Sequence, residues 1–220
     1  MTRSSSGASS LGGLAPLLAI GALCSLSYLA ADFIDVSQPW APIWKAAGIV
    51  LLAIFALSRR AWAAGIALLL SAIGDVMLAL KPVQMIPGML AFGLAHLAYI
   101  FAFISFIDWR RIDLSRWLLA GLILALSIAL LIGFLPDMGG LRIPGLGYQA
   151  IITTMVMLAI LSHAPTLTRL GAPIFMLSDS LIALGLYKHI ATPAGSVWIT
   201  YAIAQILLAA GFALAKAKRA

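Results

Sequence analysis

Apolar residues fill the chain in eight long blocks that short polar stretches separate. Each block has about 16 to 23 residues, enough for a helix to cross a hydrocarbon layer of roughly 30 Å. The pattern therefore predicts an all-α bundle of eight transmembrane helices, of which the second is the shortest. Their predicted bounds are 12–31, 43–58, 61–80, 85–107, 116–135, 144–162, 169–187 and 194–215.

The first ten residues differ from the blocks that follow. Residues 1–10, MTRSSSGASS, are polar and rich in serine and glycine, a composition typical of a disordered tail. The first block is read as an uncleaved helix, because no small-residue cleavage site closes it and because it is long enough to span. Residues 11–216 are then expected to form a single transmembrane domain.

Composition agrees with the membrane reading. The chain is 63% hydrophobic and 10% charged, with a mean hydropathy of +1.09, which excludes a water-soluble globule. A net charge of +7 would also suit nucleic acid, but the basic residues are scattered over short loops, so no nucleic-acid partner is expected.

The basic residues also predict an orientation. When alternate loops are assigned to opposite sides, ten lysines and arginines fall on one side and three on the other. By the positive-inside rule, both termini face the cytoplasm, and the bacterial inner membrane is the expected location. Six tryptophans near the predicted span ends are interpreted as interface anchors: Trp40, Trp44, Trp62, Trp109, Trp117 and Trp198.

Two stretches of the chain resemble each other. SAIGDVMLAL (71–80) aligns with FMLSDSLIAL (175–184) at an offset of 104 residues, close to half the chain. The alignment predicts a parallel repeat of four plus four helices, with halves 11–107 and 116–216. The alternative is that two helices of leucine, alanine and isoleucine resemble each other by chance.

The shared residue of these stretches is an aspartate, Asp75 or Asp179, and no other acidic residue lies within a predicted span. An aspartate at the centre of a membrane helix costs about 2.5 to 3.5 kcal/mol, so such residues usually serve function. If the two carboxyls converge, they share a proton, and one acts as acid while the other acts as base. A purely structural hydrogen-bonded pair is the alternative.

Other polar side chains in the blocks are candidates to support this pair. Lys45 opens the second span and is expected either to reach the interface, to act as a counter-ion or to meet a lipid phosphate. Six more are expected to bind the substrate or to support the site: His96, Tyr99, Tyr148, Gln149, Tyr201 and Gln205. Tyr148 and Gln149 are expected to line a cavity, and for His96 a packing role is the alternative. The three histidines and the single cysteine have no metal-ligand spacing, so no metal and no cofactor are expected.

Several short motifs together resemble the YhhN family of eight-helix membrane proteins, whose animal members are lysoplasmalogenases. The resemblance extends from Lys45 to about Phe212 and departs from the family pattern at Ala46 and Ala95. It rests on Lys45, the pair Gly74-Asp75, the group His96-Leu97-Ala98-Tyr99 and the pair Ser178-Asp179.

The resemblance implies that the vinyl ether bond of a lysoplasmalogen is hydrolysed to a fatty aldehyde and a glycerophospho-alcohol. The partners would be a lysophospholipid substrate and membrane lipids, and Asp75 and Asp179 would be the catalytic pair. Protonation of the outer alkene carbon, followed by capture of the cation by water, suits two carboxyl groups.

Two other functions use intramembrane aspartates. In a small-molecule or ion transporter they would bind protons or cations, and helices broken near the carboxylates would be expected, for which Gly74 and Pro173 are weak support. An intramembrane aspartyl protease would need a GxGD motif, which is incomplete because residue 72 is alanine.

Overall fold

The computed structural model describes residues 15–217, and all regular structure in that range is helical. Four short 3₁₀ turns lie in the loops. The eight α-helices are α1 (Ala15–Ser27), α2 (Trp40–Ser58), α3 (Trp62–Ala79), α4 (Met85–Ile104), α5 (Leu114–Phe134), α6 (Arg142–Leu161), α7 (Thr166–Lys188) and α8 (Ser196–Ala217).

The predicted helix bounds are close to those observed, since α2 to α8 begin and end within three residues of them. The prediction that the second helix is the shortest was wrong. α2 has 19 residues and begins at Trp40, because Pro42 lies in its first turn, where a missing N–H is tolerated and the fixed φ suits a helix. The predicted tail 1–10 and the start of the first span lie outside the described residues.

Seven helices, α2 to α8, are long and apolar enough to cross a membrane, whereas the described part of α1 with its 3₁₀ turn is shorter. The protein is a multi-pass membrane protein. About half of the α8 span is buried inside the protein, compared with 17% of the α5 span. α8 is therefore central and α5 peripheral. The direction of the termini and the identity of the membrane stay predictions.

Six of the seven pairs of consecutive helices pack together, the exception being α4 and α5, and further contacts join the two predicted halves. α8 packs on α2 and, less extensively, on α1 and α3, while α4 packs on α6. α5 packs on α6 and only slightly on α7. α2 and α5 consequently lie on different sides of the bundle.

Contacts between loops define the two ends of the bundle. At the first end, which we call the site end, Gln38 Nε2 donates to Ala79 O at 3.0 Å, and Lys188 pairs with Asp137. The site end comprises the loops 28–39, 80–84, 135–141 and 189–195. At the opposite end, His163 N donates to Phe106 O at 2.8 Å.

A glycine on α2 sets the position of α1. A Cβ built on Gly48 would lie 2.3 Å from the backbone N of Ser25, so the two helices touch through backbone atoms. Small residues of this kind allow membrane helices to approach closely. The carbonyl of Ser25 in turn accepts a hydrogen bond from Trp198 Nε1 at 2.7 Å. The close α1–α2 contact therefore also positions a side chain of α8.

We expect Gly48→Ala to destabilise the protein by about 1 to 3 kcal/mol, because the added methyl must push α1 away. Gly147→Ala is the matched control, since a Cβ at Gly147 meets nothing within 4 Å. Thermal unfolding in detergent should show a lower midpoint for Gly48→Ala and an unchanged or higher one for Gly147→Ala. Equal midpoints for the two variants would contradict the close contact.

Candidate active site

The two intramembrane aspartates lie equally far from the first residues of their helices. Asp75 is 13 residues beyond Trp62, the first residue of α3, and Asp179 is 13 residues beyond Thr166, the first residue of α7. Each carboxylate is thus roughly 20 Å along its helix from the opposite end. Both line a single cavity, and many of its other lining residues lie near the helix ends at the site end.

The enclosed part of the cavity has a volume of about 110 Å³, and the whole space, including its opening to the outside, measures about 920 Å³. Most of its wall is apolar. One of its apolar lining residues, Phe92, is in edge-to-face contact with Tyr201 and with Phe175. The side chains in the wall that carry polar or charged groups are Lys45, Asp75, Tyr148, Gln149, Ser178, Asp179, Tyr187, Trp198 and Tyr201.

Asp75 is held by a tyrosine and a lysine. Tyr201 on α8 donates its hydroxyl to Asp75 Oδ2 at 2.6 Å, and Lys45 Nζ on α2 lies 3.9 Å from Oδ1. The same ammonium lies 5.5 Å from the ring centre of Trp198, a favourable cation–π distance. Of the three roles expected for Lys45, the geometry fits that of a counter-ion facing the cavity.

Asp179 has a different pair of neighbours. Tyr148 on α6 donates its hydroxyl to Asp179 Oδ2 at 2.5 Å, and the same hydroxyl lies 3.0 Å from His96 Nε2 on α4. His96 Nε2 is also 3.6 Å from Asp179 Oδ2. The His96 ring is fully buried, so the three groups can exchange a proton without passing it through water.

The contacts follow a reciprocal pattern. Asp75 on α3 is contacted from α2, the preceding helix of its own predicted half, and from α8, the last helix of the other half. Asp179 on α7 is contacted in the same way from α6 and from α4. This pattern supports the predicted repeat, which stays a prediction.

Three of the predicted site residues do not line the cavity: His96 contacts Asp179 from outside the cavity wall, and Tyr99 and Gln205 lie farther away. The hydroxyl of Tyr99 on α4 donates to Gln205 Oε1 on α8 at 2.7 Å, and both side chains are fully buried. Gln205 is one turn of α8 beyond Tyr201. The pair therefore fixes α4 against the helix that carries Tyr201, and neither side chain reaches a substrate in the cavity.

Gln149 lines the cavity and also joins two helices. Its Nε2 donates to Ser127 Oγ on α5 at 2.7 Å, and Ser127 is bonded to Thr153 Oγ1 at 2.6 Å. These bonds attach the peripheral α5 to α6. Gln149 consequently supports the wall of the cavity on the side where α5 lies.

Sequence reasoning missed the role of Trp198. It was interpreted as an interface anchor because it stands near a helix start, yet it is buried and lines the cavity beside Lys45. Four of the other five tryptophans, Trp40, Trp62, Trp109 and Trp117, are exposed as anchors would be. The available signal was the spacing, since Trp198 lies three residues before Tyr201 and hence on the same helix face.

No group of three histidine, cysteine, aspartate or glutamate side chains able to hold a metal ion occurs in residues 15–217. The groups in the described part of the cavity that could take part in a reaction are the two carboxyls, the two tyrosines hydrogen-bonded to them, and the Lys45 ammonium. Such a set can donate a proton, accept one and stabilise charge in a mostly apolar surrounding.

We expect Tyr99→Phe to lower stability by about 1 to 3 kcal/mol, because Gln205 Oε1 is left buried without a donor. The double variant Tyr99→Phe/Gln205→Met should lose less than the sum of the single variants, since both partners are then apolar. Thermal unfolding of all three variants measures this. Additive losses would contradict a bond between the two side chains.

Comparison with known proteins gives one family. The YhhN family model matches residues 40–212, most of the chain. Two curated relatives, from Mycobacterium bovis and Mycobacterium tuberculosis, are named lysoplasmalogenase. Each is 37% identical over 187 residues, which cover 78% of this chain and 69% of the relative. No solved structure matches the chain.

The match includes Lys45, the two aspartates and all their cavity partners, and it extends across α2 to α8. The family expected from the short motifs is therefore confirmed by the whole-chain comparison, and the protein belongs to the YhhN family.

Proposed function

We propose that the protein is an integral-membrane hydrolase of the lysoplasmalogenase type. The name of the two mycobacterial relatives, lysoplasmalogenase, supports the reaction class. The observation that carries the proposal is the placement of two carboxyls in one largely apolar cavity, with a cation beside one of them. A single-chain ether phospholipid has matching parts, namely an anionic phosphate, an acid-sensitive vinyl ether and a hydrocarbon chain.

The reaction begins with a proton added to the outer alkene carbon of the vinyl ether, which leaves an oxocarbenium ion. Water adds to that cation and loses a proton, and the resulting hemiacetal collapses to an aldehyde and a glycerophospho-alcohol. One water is consumed, one carbon–oxygen bond is broken, and the proton taken from the protein is returned. Each step needs either an acid or a base, and the cation needs a nearby negative charge.

The neighbours of the aspartates suggest a division of roles. Asp179 shares hydrogen bonds with Tyr148 and His96, a set that can deliver a proton and later recover it. Asp75 has the Lys45 ammonium as its counter-ion, so a positive charge lies beside its carboxylate form. We therefore assign the proton donor role to Asp179, and to Asp75 stabilisation of the cation and activation of water.

Lys45 is suited to a second task. Its side chain is 18% exposed, whereas that of Asp75 is 3% exposed, so the ammonium lies on the accessible side of the ion pair. An ammonium is a common partner for phosphate, and it can contact the carboxylate and a phosphate together. We assign the lysophospholipid phosphate to Lys45.

The transporter alternative gains no support from the helices. α3 is continuous through Gly74 and Asp75, and α7 is continuous through Pro173 and Asp179. Transporters commonly coordinate their substrates at unwound segments of broken helices. The carboxylates here lie on unbroken helices with tyrosine partners, which suits a rigid catalytic site.

We expect Asp75→Asn and Asp179→Asn each to lower aldehyde release from a lysoplasmalogen by at least about a hundredfold, the usual range for an essential acid or base. Purified protein in detergent is incubated with the lysoplasmalogen and, separately, with a saturated lysophospholipid of equal chain length. Only the vinyl ether should release aldehyde.

The control for these variants is Asp108→Asn, which alters an exposed aspartate in a loop at the opposite end of the bundle. It should keep wild-type activity, and all three variants should give the same elution volume on gel filtration. Full activity in a folded Asp75→Asn or Asp179→Asn protein would disprove catalysis by the pair. Absence of aldehyde from the wild type would disprove the proposed reaction.

We expect Lys45→Met to reduce kcat/KM more for a lysoplasmalogen than for a 1-alkenylglycerol, which has the same vinyl ether and no phosphate. Because the variant loses a charge-assisted bond to phosphate, the reduction in kcat/KM should be larger for the lysoplasmalogen than for the 1-alkenylglycerol by roughly tenfold or more. An equal loss for both would show that Lys45 acts only on Asp75 and does not bind the phosphate.

A further inference from the structure

The cavity extends beyond the carboxyls toward the α5 side of the bundle. On the α2 and α8 side its wall carries Lys45 and Trp198, while the α5 and α7 side is built from carbon-rich side chains. We call this second part the apolar arm. Its lining residues are Leu131, Phe134, Met138, Ala183, Leu186 and Tyr187.

The apolar arm belongs to a small hydrophobic cluster that is separate from the main core. Phe134, Met138 and Tyr187 form the buried part of that cluster, and the Phe134 and Tyr187 rings lie 5.8 Å apart. The main core is built around the other helices and is much larger. Side chains of the small cluster can therefore be changed with little effect on the main core.

Met138 closes the arm at the site end. A Cβ built on Gly145 of α6 would lie 2.2 Å from Met138 Cε and 3.3 Å from the Tyr187 hydroxyl. The bare backbone of Gly145 thus gives Met138 the room to lie across the arm. The adjacent pair Asp137 and Lys188 joins the end of α7 to the loop after α5, which holds this closure in place.

We propose that the apolar arm holds the aliphatic chain of the lipid substrate and that Met138 sets the longest chain that fits. The inference rests on the proposed function. The two carboxyls lie between the arm and the Lys45 cation, so a substrate phosphate at Lys45 directs the chain on the other side of the ether into the arm.

The chemistry of the arm defines what it accepts. Its lining consists of a thioether, a phenyl ring, aliphatic side chains and the phenol ring of Tyr187, and the Tyr187 hydroxyl is the polar group among these side chains. A saturated or unsaturated hydrocarbon is therefore favoured over a chain with a polar end. A pocket of this kind discriminates by length, because each methylene that fits adds favourable burial and one that does not fit must displace a wall residue.

The test compares chain lengths in the wild type and in Met138→Ala. A series of lysoplasmalogens that differ by two methylenes is assayed for kcat/KM of aldehyde release. For the wild type, kcat/KM should fall sharply beyond one chain length. Met138→Ala should accept longer chains, and for the first length that the wild type rejects its kcat/KM should be higher by on the order of tenfold. Ala183→Phe, which fills the arm from α7, should move the limit to shorter chains.

The matched control is Met157→Ala. It also replaces a methionine by alanine, but Met157 lies on α6 at a position that does not line the cavity. It should keep the wild-type length profile. If Met138→Ala and Ala183→Phe also keep that profile while the wild type remains active, the inference is overturned and the proposed function stands.

A binding measurement separates the inference from the reaction. Saturated lysophosphatidylethanolamines of the same chain lengths are titrated into wild-type and Met138→Ala protein, with the thermal unfolding midpoint as readout. A length limit that moves in the variant supports the arm even if no vinyl ether is cleaved, in which case the proposed reaction alone fails. Stabilisation that is independent of chain length in both proteins overturns the inference.

Discussion

The cost of keeping two carboxyl groups inside a hydrocarbon layer constrains the rest of this structure. Two aspartates at that depth cost about 5 to 7 kcal/mol together, which is comparable to the whole stability of many domains. The protein offsets this cost with short bonds from Tyr201 and Tyr148 and with the ammonium of Lys45. Hydrogen bonds to charged groups contribute about 1.5 to 3 kcal/mol each, so these partners roughly balance the cost.

Those partners come from three helices, α2, α6 and α8, which must be held in register with α3 and α7 for the bonds to form. The structure achieves this with contacts away from the cavity. Trp198 is fixed to the backbone of α1, whose position depends on a bare glycine of α2, and the buried bond between Tyr99 and Gln205 joins α4 to α8. Tyr99 and Gln205 are thus important to the site without entering it, since they fix the helix that carries Tyr201.

The sequence predicts the helices and the two aspartates well, because both follow from the transfer of side chains into lipid. Apolar length marks a span, and a carboxyl within a span is too costly to be incidental. The sequence does not tell which polar residues face the cavity. Tyr99 and Gln205 were therefore predicted to belong to the site together with Tyr201, although only Tyr201 lines the cavity. In a membrane, the lipid-facing and core-facing sides of a helix are both apolar, and the pattern that orients a helix in water is lost.

The proposed repeat accounts for the similar placement of the aspartates, and a departure from it accounts for the shape of the cavity. α1 and α5 are equivalent in such a repeat, yet α1 packs on both α2 and α8, whereas α5 packs mainly on α6 and exposes most of its surface. The cavity extends toward α5, where a small hydrophobic cluster takes the place of the main core. A symmetric bundle would offer two equal carboxyl sites. Looser packing of one helix makes the two ends of the cavity different, and a lipid with a charged end and an apolar end needs that difference to bind in one direction.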